Sequence, residues 1–368
     1  MLVKNNYDEC LTNLACSIRR YFGLKYNHNT FKYIDKILDT KKPKNVVVIL
    51  FDGMGSRILD RVLDENSFFI RNRYKEITTV FPATTTAATT SIRTGLNPIE
   101  HGWLGWNTYI SPINKTITLF LGCEKGKKEI SEEFLAVKNK LCNKSIGKEI
   151  NEIGKYKGIE LFPFGDNKYK NLDDMLNIIE SETKKEGIKY IYAYDDEPDH
   201  TMHDLGPDNP KVKDLIKIRN EKVKQLCAKL NDTLLIIVAD HGHIKVEPIY
   251  LNDYPELVDM LERIPSIEQR AISFKVKKEY LEEFKNKFNE LLGKYFSLYD
   301  KKDIISSKLF GNGTPNELFN DAIGDYIAIA ENSNKCLISD DDDILDSQHA
   351  GYTDDEIYVP LIVIDKTI

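Results

Sequence analysis

The chain has 368 residues, a formal net charge of -7, 41% apolar and 30% charged residues. That length carries one large α/β core with an insertion, or two domains. The acidic balance excludes a general nucleic-acid binder, which shows a basic footprint, but not a phosphate substrate whose charge is neutralised locally by metal ions.

The six cysteines (Cys10, Cys16, Cys123, Cys142, Cys227 and Cys336) are scattered with no CxxC pair. The expectation is a chain without a disulfide framework in a reducing, cytoplasmic setting. The start, Met1-Leu2-Val3-Lys4-Asn5-Asn6, has no apolar signal core. No stretch approaches the roughly 20 apolar residues of a spanning helix, so no membrane partner is expected.

In chain order, Leu11, Leu14, Ala15 and Ile18 recur at helical spacing, and Ile34 with Leu38 marks a second short helix. Arg19-Arg20 reads as a solvated helix face rather than a phosphate contact. Val46 to Phe51 is a buried parallel strand that delivers Asp52 at its carboxyl end. Gly53 and Gly55 come next, letting the backbone turn or approach a ligand closely. A helix over 56–75 leads to a strand over Ile77–Phe81, stopped by Pro82. Six of the eight residues from Thr84 to Ser91 are Thr or Ser. They place hydroxyls and backbone N–H groups at a helix start, where anionic charge is stabilised. Taken alone, Asp52 reads as a helix-capping Asp and these threonines as caps.

Gly95-Leu96-Asn97-Pro98 is a helix stop. His101 and Trp103 suit structural roles, whereas Trp106 suits a pocket mouth. Residues 107–170 show weaker patterning, with an extended excursion from Asn107 to Leu121 and a Lys/Glu-rich exposed helix or loop over 124–150, a candidate insertion near the site. Leu172–Lys185 is an amphipathic helix leading into the strand Lys189–Tyr194. In the segment after Pro198, Asp199 and His203 lie four apart on one helical face, half of a zinc or manganese site. Asp195 and Asp196 are supporting or loop charges, and His200 points off that face. A helix over 211–230 precedes the third apolar strand, Thr233–Ala239, which ends in Asp240-His241-Gly242.

Residues 246–330 form a second unit, with strands at Gln269–Val276 and Gly324–Ala330 around an amphipathic helix at Glu279–Leu292. Arg270 reads as a surface ion pair and Asp340–Asp343 as a solvated loop. His349 stands just before the last strand, within Tyr358–Ile364. The resulting architecture is α/β, a mostly parallel central sheet flanked by helices with a small α+β cap insertion. The core covers 1–245 and 331–368, and the cap 246–330.

Asp52, Thr85, Asp199, His203, Asp240, His241 and His349 together suffice for two divalent cations, the arrangement that clamps an in-line phosphoryl displacement. A Thr hydroxyl needs such activation to act as a nucleophile.

The chain resembles the alkaline phosphatase superfamily, in its type I phosphodiesterase/nucleotide pyrophosphatase branch. The resemblance rests on Asp52-Gly53, Phe81-Pro82-Ala83-Thr84-Thr85 through Thr94-Gly95-Leu96, Pro98-Ile99-Glu100-His101-Gly102, Glu197-Pro198-Asp199 with His203 and Gly206-Pro207, Asp240-His241-Gly242 and His349-Ala350-Gly351. It implies an alkaline-phosphatase-like fold with two ions, zinc first and manganese second. Asp199, His203 and His349 would hold one ion. Asp52, Asp240 and His241 would hold the other, with Thr85 bridging toward it as nucleophile and Thr84 as the neighbouring alternative. The expected substrate is a small-molecule phosphoester, not a nucleic-acid polymer.

Three positions depart from the branch pattern. Ala88 stands where many members have a phosphate-binding Asn, Thr86 where nucleotide-cleaving members have an aromatic, and His349-Ala350-Gly351 where many have His-Gly. Phosphomonoester or phosphonate hydrolysis on the same residues is the first alternative to phosphodiester hydrolysis. A noncatalytic metal- or phosphate-binding protein is the second. A sulfatase does not fit, because neither Cys nor Ser occupies a Cys/Ser-x-Pro-x-Arg motif.

Overall fold

The computed structural model describes residues 3–142, 144–165, 168–340 and 342–367. Its central sheet has six strands: β1 Asn45–Phe51, β2 Arg73–Thr78, β3 Lys157–Leu161, β4 Lys189–Asp195, β5 Thr233–Val238 and β6 Tyr358–Asp365. Their order is β2-β6-β5-β1-β4-β3, and all but β6 run in one direction. The fold is therefore the expected α/β class, with a mostly parallel core and an antiparallel strand toward one edge.

Every residue of β1, β4 and β5 is buried. Each large apolar side chain in those runs contributes roughly 1.5–3 kcal/mol by leaving water, so these three strands are the best-determined part of the chain. Their register sets where the loops beyond them emerge. Phe51 pairs with Asp195 and Leu50 with Val238, so Asp52, the Asp199 turn and Asp240 leave the sheet side by side. Because β6 is antiparallel to β5, the segment entering it, with His349, arrives at that same edge. This is where open α/β sheets place their ligands.

A second, antiparallel sheet of seven strands joins residues 107–124 to 266–329 in the order Ser297–Asp300, Tyr326–Ile329, Ala271–Phe274, Ser266–Ile267, Asn107–Ile110, Lys115–Thr118 and Cys123–Glu124. The helix Leu281–Leu292 packs Phe284 and Phe288 against Phe274 behind it. Part of the segment at 107–170 is thus sheet, completed by partners far away in sequence.

Several local expectations are corrected. The helix over 56–75 is two short helices, Ser56–Val62 and Phe68–Asn72. The strand expected at 77–81 lies earlier, at Arg73–Thr78, where it pairs with β6. Arg19 is buried rather than solvated, donating to the Thr94 carbonyl (2.9 Å) and pairing with Glu149 (2.7 Å). Arg270 is no surface residue either: it is fully buried against Glu356. In the acidic run, Asp342 is not a solvated charge but pairs with the buried Lys125 at 2.7 Å. Asp341 lies outside the described residues. Among the described residues, no helix is long and apolar enough to cross a membrane.

Candidate metal centre

Asp52 leaves β1 at the turn to Gly53, which has φ +70°. A Cβ there would sit 2.7 Å from Met202 Cε and 3.0 Å from Asp199 Cβ. Only glycine lets the β1 turn lie against the helix Asp199–Leu205, which brings Asp52 and Asp199 into one space.

Thr85 opens the helix Thr85–Thr94. Its Oγ1 lies 3.1 Å from His241 Nε2 and 3.4 Å from each Asp52 carboxylate oxygen. His241 Nε2 is in turn 3.2 Å from Asp52 Oδ1 and 3.6 Å from Asp240 Oδ2. Asp240 Oδ1 accepts from the N–H groups of Gly53 and His241, both at 3.0 Å. Its Oδ2 is buried with no hydrogen-bond partner. Asp199 Oδ2 stands 3.2 Å from His203 Nε2, and Asp199 Oδ1 stands 2.9 Å from His243 Nε2.

Two sets of side chains bring one potential ligand atom each to within 4.8 Å of one another: Asp199, His203, His243 and His349, and Asp52, Asp199 and His241. The seven residues expected from the sequence therefore meet at one place. Asp240 is in neither set but contacts the second through His241. His200, discounted from its helical face, is in neither set.

The histidine tautomers decide whether these residues suit a cation. His203 Nδ1 faces the Ser347 carbonyl at 2.9 Å, His241 Nδ1 the Gly242 carbonyl at 3.0 Å, and His349 Nδ1 the Ala83 carbonyl at 3.2 Å. A carbonyl only accepts, so each ring carries a proton on Nδ1 and presents Nε2 as its ligating nitrogen. This is the orientation that metal-bound histidines take from their outer partners.

The carboxylates point the same way. Burial first, then Asp199, pushes the Asp52 carboxyl well above the usual range, and burial with Asp52 does the same to Asp240. Asp199 is held low because His203 and His243 outweigh its burial. His203 is raised to about 9, with Asp199 overcoming burial. Burial and the neighbouring His241, whose ring stacks at 3.8 Å, hold His349 low. These shifts favour protons on the Asp52 and Asp240 carboxyls and on His203; divalent cations would displace those protons and supply the positive charge in their place. The residues fit divalent cations.

Two contributors carried no decisive sequence signal. Tyr194 donates its hydroxyl to Asp52 Oδ2 from the end of β4; within the strand nothing in the sequence sets it apart from Tyr190 and Tyr192. His243, fully buried, reaches Asp199 from two residues beyond His241. Trp106 is 39% exposed, with its ring edge-on to Phe120 at 6.0 Å, as suits a pocket mouth. Thr86 and Ala88 are both fully buried, and Ala88 belongs to the main apolar core. A surface depression of about 500 Å³, lined by Lys4, Lys245, Asn334 and Asp354 among others, includes none of the clustered side chains.

Fold and site together define a class: an alkaline-phosphatase-like α/β protein with Asp/His clusters able to hold metal and a threonine hydroxyl against them. The type I phosphodiesterase/nucleotide pyrophosphatase family model matches residues 46–121 and 106–353, and the chain belongs to that family. Human ectonucleotide pyrophosphatase/phosphodiesterase family member 5 is 29% identical over 192 residues, which are 49% of this chain and 37% of that relative. The match thus spans little more than a third of the relative's length.

The structure of the murine protein of that name superimposes with a TM-score of 0.63 at 21% identity, covering 86% of this chain and 87% of the other. The human structure gives 0.63 at 20%, covering 86% and 87%. An inactive Thr-to-Ala variant of the murine protein in complex with AMP gives 0.63 at 19%, covering 87% and 88%. At these identities the structural likeness speaks for the fold. Family membership and the candidate metal sites together support enzymatic activity of this general class.

The cytoplasmic setting expected from the cysteines is corrected by these relatives, which are ectonucleotide enzymes by name. Free cysteines do not define a compartment in a chain with a core this large, because such a core needs no disulfides to hold it.

Proposed function

We propose that this protein is a metal-dependent phosphodiesterase of the nucleotide pyrophosphatase type, with Thr85 as nucleophile and a small-molecule phosphoester as substrate. The observation that carries the reading is the convergence of three Nε2 atoms, of His203, His241 and His349, on the Asp52, Asp199 and Asp240 carboxylates beside the Thr85 hydroxyl. Asp199, His203 and His349 would hold one divalent ion, and Asp52, Asp240 and His241 the other, with Thr85 beside it. Zinc suits this nitrogen and oxygen donor set first, and manganese second. Bound there, two such ions supply charge stabilisation for the attacking, leaving and non-bridging oxygens.

The chain's own residues do the rest. Thr85 Oγ gives up its proton and attacks phosphorus as the bond from phosphorus to the ester oxygen breaks and the alcohol leaves with a proton; water then cleaves the phosphothreonine ester, restoring the Thr85 hydroxyl and releasing the phosphate monoester. The helix Thr85–Thr94 turns its free N–H groups toward the anionic phosphoryl group. Tyr194 fixes the Asp52 carboxylate by its hydrogen bond. The Ser347 hydroxyl spends its proton on the Met202 carbonyl, so His243 Nδ1 donates to Ser347 Oγ at 2.7 Å. Its Nε2 is therefore presented as in the other three rings, and His243 can share an ion with Asp199, His203 and His349. Residues 246–330 act as the cap. The inactive Thr-to-Ala relative bound to AMP supports a threonine nucleophile and a nucleotide-like phosphoester in the family.

The test is hydrolysis by zinc- or manganese-loaded protein of methyl p-nitrophenyl phosphate against p-nitrophenyl phosphate. The diester should lead in kcat/KM. A monoester preference of about 100-fold or more would replace this reading with a phosphomonoesterase.

A further inference from the structure

Glu268 comes directly after the short strand Ser266–Ile267 of the second sheet and reaches back to the nucleophile loop. Its Oε1 accepts from the Thr84 hydroxyl at 2.6 Å and from the Trp106 N–H at 2.7 Å. Thr84 adjoins Thr85, so this carboxylate stands one residue from the attacking oxygen. Oε2 accepts no hydrogen bond among the described residues.

The backbone is strained to put it there. Ile267 has φ +79°, a left-handed conformation that a β-branched residue adopts only when its surroundings impose it, and such strain gathers at functional sites. Gly105 lies against it: a Cβ there would sit 2.7 Å from the Ile267 carbonyl oxygen.

A tether between Thr84 and Trp106 does not need a charge. A glutamine oxygen would accept the same two bonds without opposing an anion. A carboxylate beside a phosphate site opposes each added negative charge on the ligand, and it does so most for the substrate with the most charge. Burial pushes the Glu268 carboxyl up to about 7, against the bonds from Thr84 and Trp106, so above that pH it is an anion.

Building on the phosphoesterase reading, we propose that Glu268 is a specificity-determining residue that selects phosphodiesters, with one negative charge at phosphorus, over phosphomonoester dianions.

The test compares wild type with Glu268→Gln, and with Glu268→Ser as a second variant, in zinc-loaded protein at about pH 8, above the Glu268 value. Two readouts are taken. In the first, the kcat/KM ratio of methyl p-nitrophenyl phosphate to p-nitrophenyl phosphate should fall about tenfold in Glu268→Gln, through a gain on the monoester, the effect of one unit charge several ångström away. In the second, calorimetry should show inorganic phosphate gaining about tenfold more affinity in the variant than dimethyl phosphate does. An unchanged ratio with unchanged phosphate affinity overturns the proposal. If wild type cleaves neither ester, the hydrolase reading fails, and the phosphate affinities alone decide the role of Glu268.

Discussion

His243 Nε2 lies 2.9 Å from Asp199 Oδ1, yet each is buried without a hydrogen-bond partner, because the ring proton is on Nδ1 and both facing atoms only accept. The antiparallel pairing of Ser347–Gln348 with Ile244–Lys245 fixes the backbone on both sides of the ring. Ser347 Oγ then sits 2.7 Å from both His243 Nδ1 and the Met202 carbonyl. This strap joins the segment after β5, the Asp199 helix and the approach to His349. Replacing an imidazole that ligates a metal, or that stands beside a ligand, lowers metal affinity by about 10–100-fold or more. His243→Asn should therefore bind zinc more weakly by that factor, measured by competition with a chromogenic chelator, and keep its fold by circular dichroism. Wild-type affinity in the variant would reduce His243 to packing.

The two candidate threonines are separated by what they touch. Thr84 Oγ1 is engaged by Glu268, whereas Thr85 Oγ1 faces His241 and Asp52. Thr85→Ala should lower kcat on an aryl phosphodiester by about a thousandfold or more, with zinc content retained. Thr84→Ala should cost less than about tenfold. The reverse order of effects would move the nucleophile to Thr84.

The buried pair Arg270–Glu356 ties the second sheet to the loop that carries His349. Arg270 Nε and Nη2 donate to Glu356 at 2.6 and 2.9 Å, and Glu356 also accepts from Gly351 N at 2.8 Å and Thr353 Oγ1 at 2.7 Å. Ala350, between His349 and Gly351, is held at φ +77°. Removing one partner of such a pair strands a buried charge and costs about 3–5 kcal/mol. Urea unfolding of Glu356→Gln and of Arg270→Met should each show that loss, and the double variant should lose less than the two losses added. Strict additivity would mean that the two side chains do not act as a pair.

What the sequence revealed depended on how local each signal was. Asp52 and Asp240 were legible because each comes directly after a run of buried apolar residues, and a central parallel strand announces its own end. Asp199 and His203 were legible from the four-residue spacing of one helix. Glu268 depends on Ser266–Ile267 pairing with strands on both sides, one of them at Asn107, and nothing near it in sequence signals that. Arg270 read as exposed because its partner is 86 residues away. Tyr194 lay inside a strand whose other aromatics pack in the core, so its hydroxyl could not be told from theirs. His243 stood two residues past an expected ligand, which was a signal, but an imidazole next to a metal site reads equally well as packing.

His101 shows the opposite outcome, a histidine with no part in the chemistry, and it yields a pH test. It is fully buried; Nδ1 accepts from the Trp103 N–H at 3.0 Å, so the ring proton is on Nε2, 3.1 Å from Ser91 Oγ. A second proton would have to displace the Trp103 bond. Burial lowers its pKa from 6.5 to about 3. In the unfolded chain the ring takes up a proton as pH falls below 6.5, while the folded chain refuses it until about 3. Stability from this group is therefore intact above 6.5 and drains away as pH falls toward 3. Between those limits the loss is about 1.4 kcal/mol per pH unit, or roughly 2–3 kcal/mol by about pH 4.5. His101→Asn keeps an acceptor for the Trp103 N–H but cannot titrate. Urea unfolding of metal-free wild type and variant, at pH 6.5 and about pH 4.5, cancels the other titrating groups. The wild-type advantage should shrink by about 2–3 kcal/mol on acidification; an advantage independent of pH would mean that His101 is protonated in the folded chain as readily as in the unfolded one.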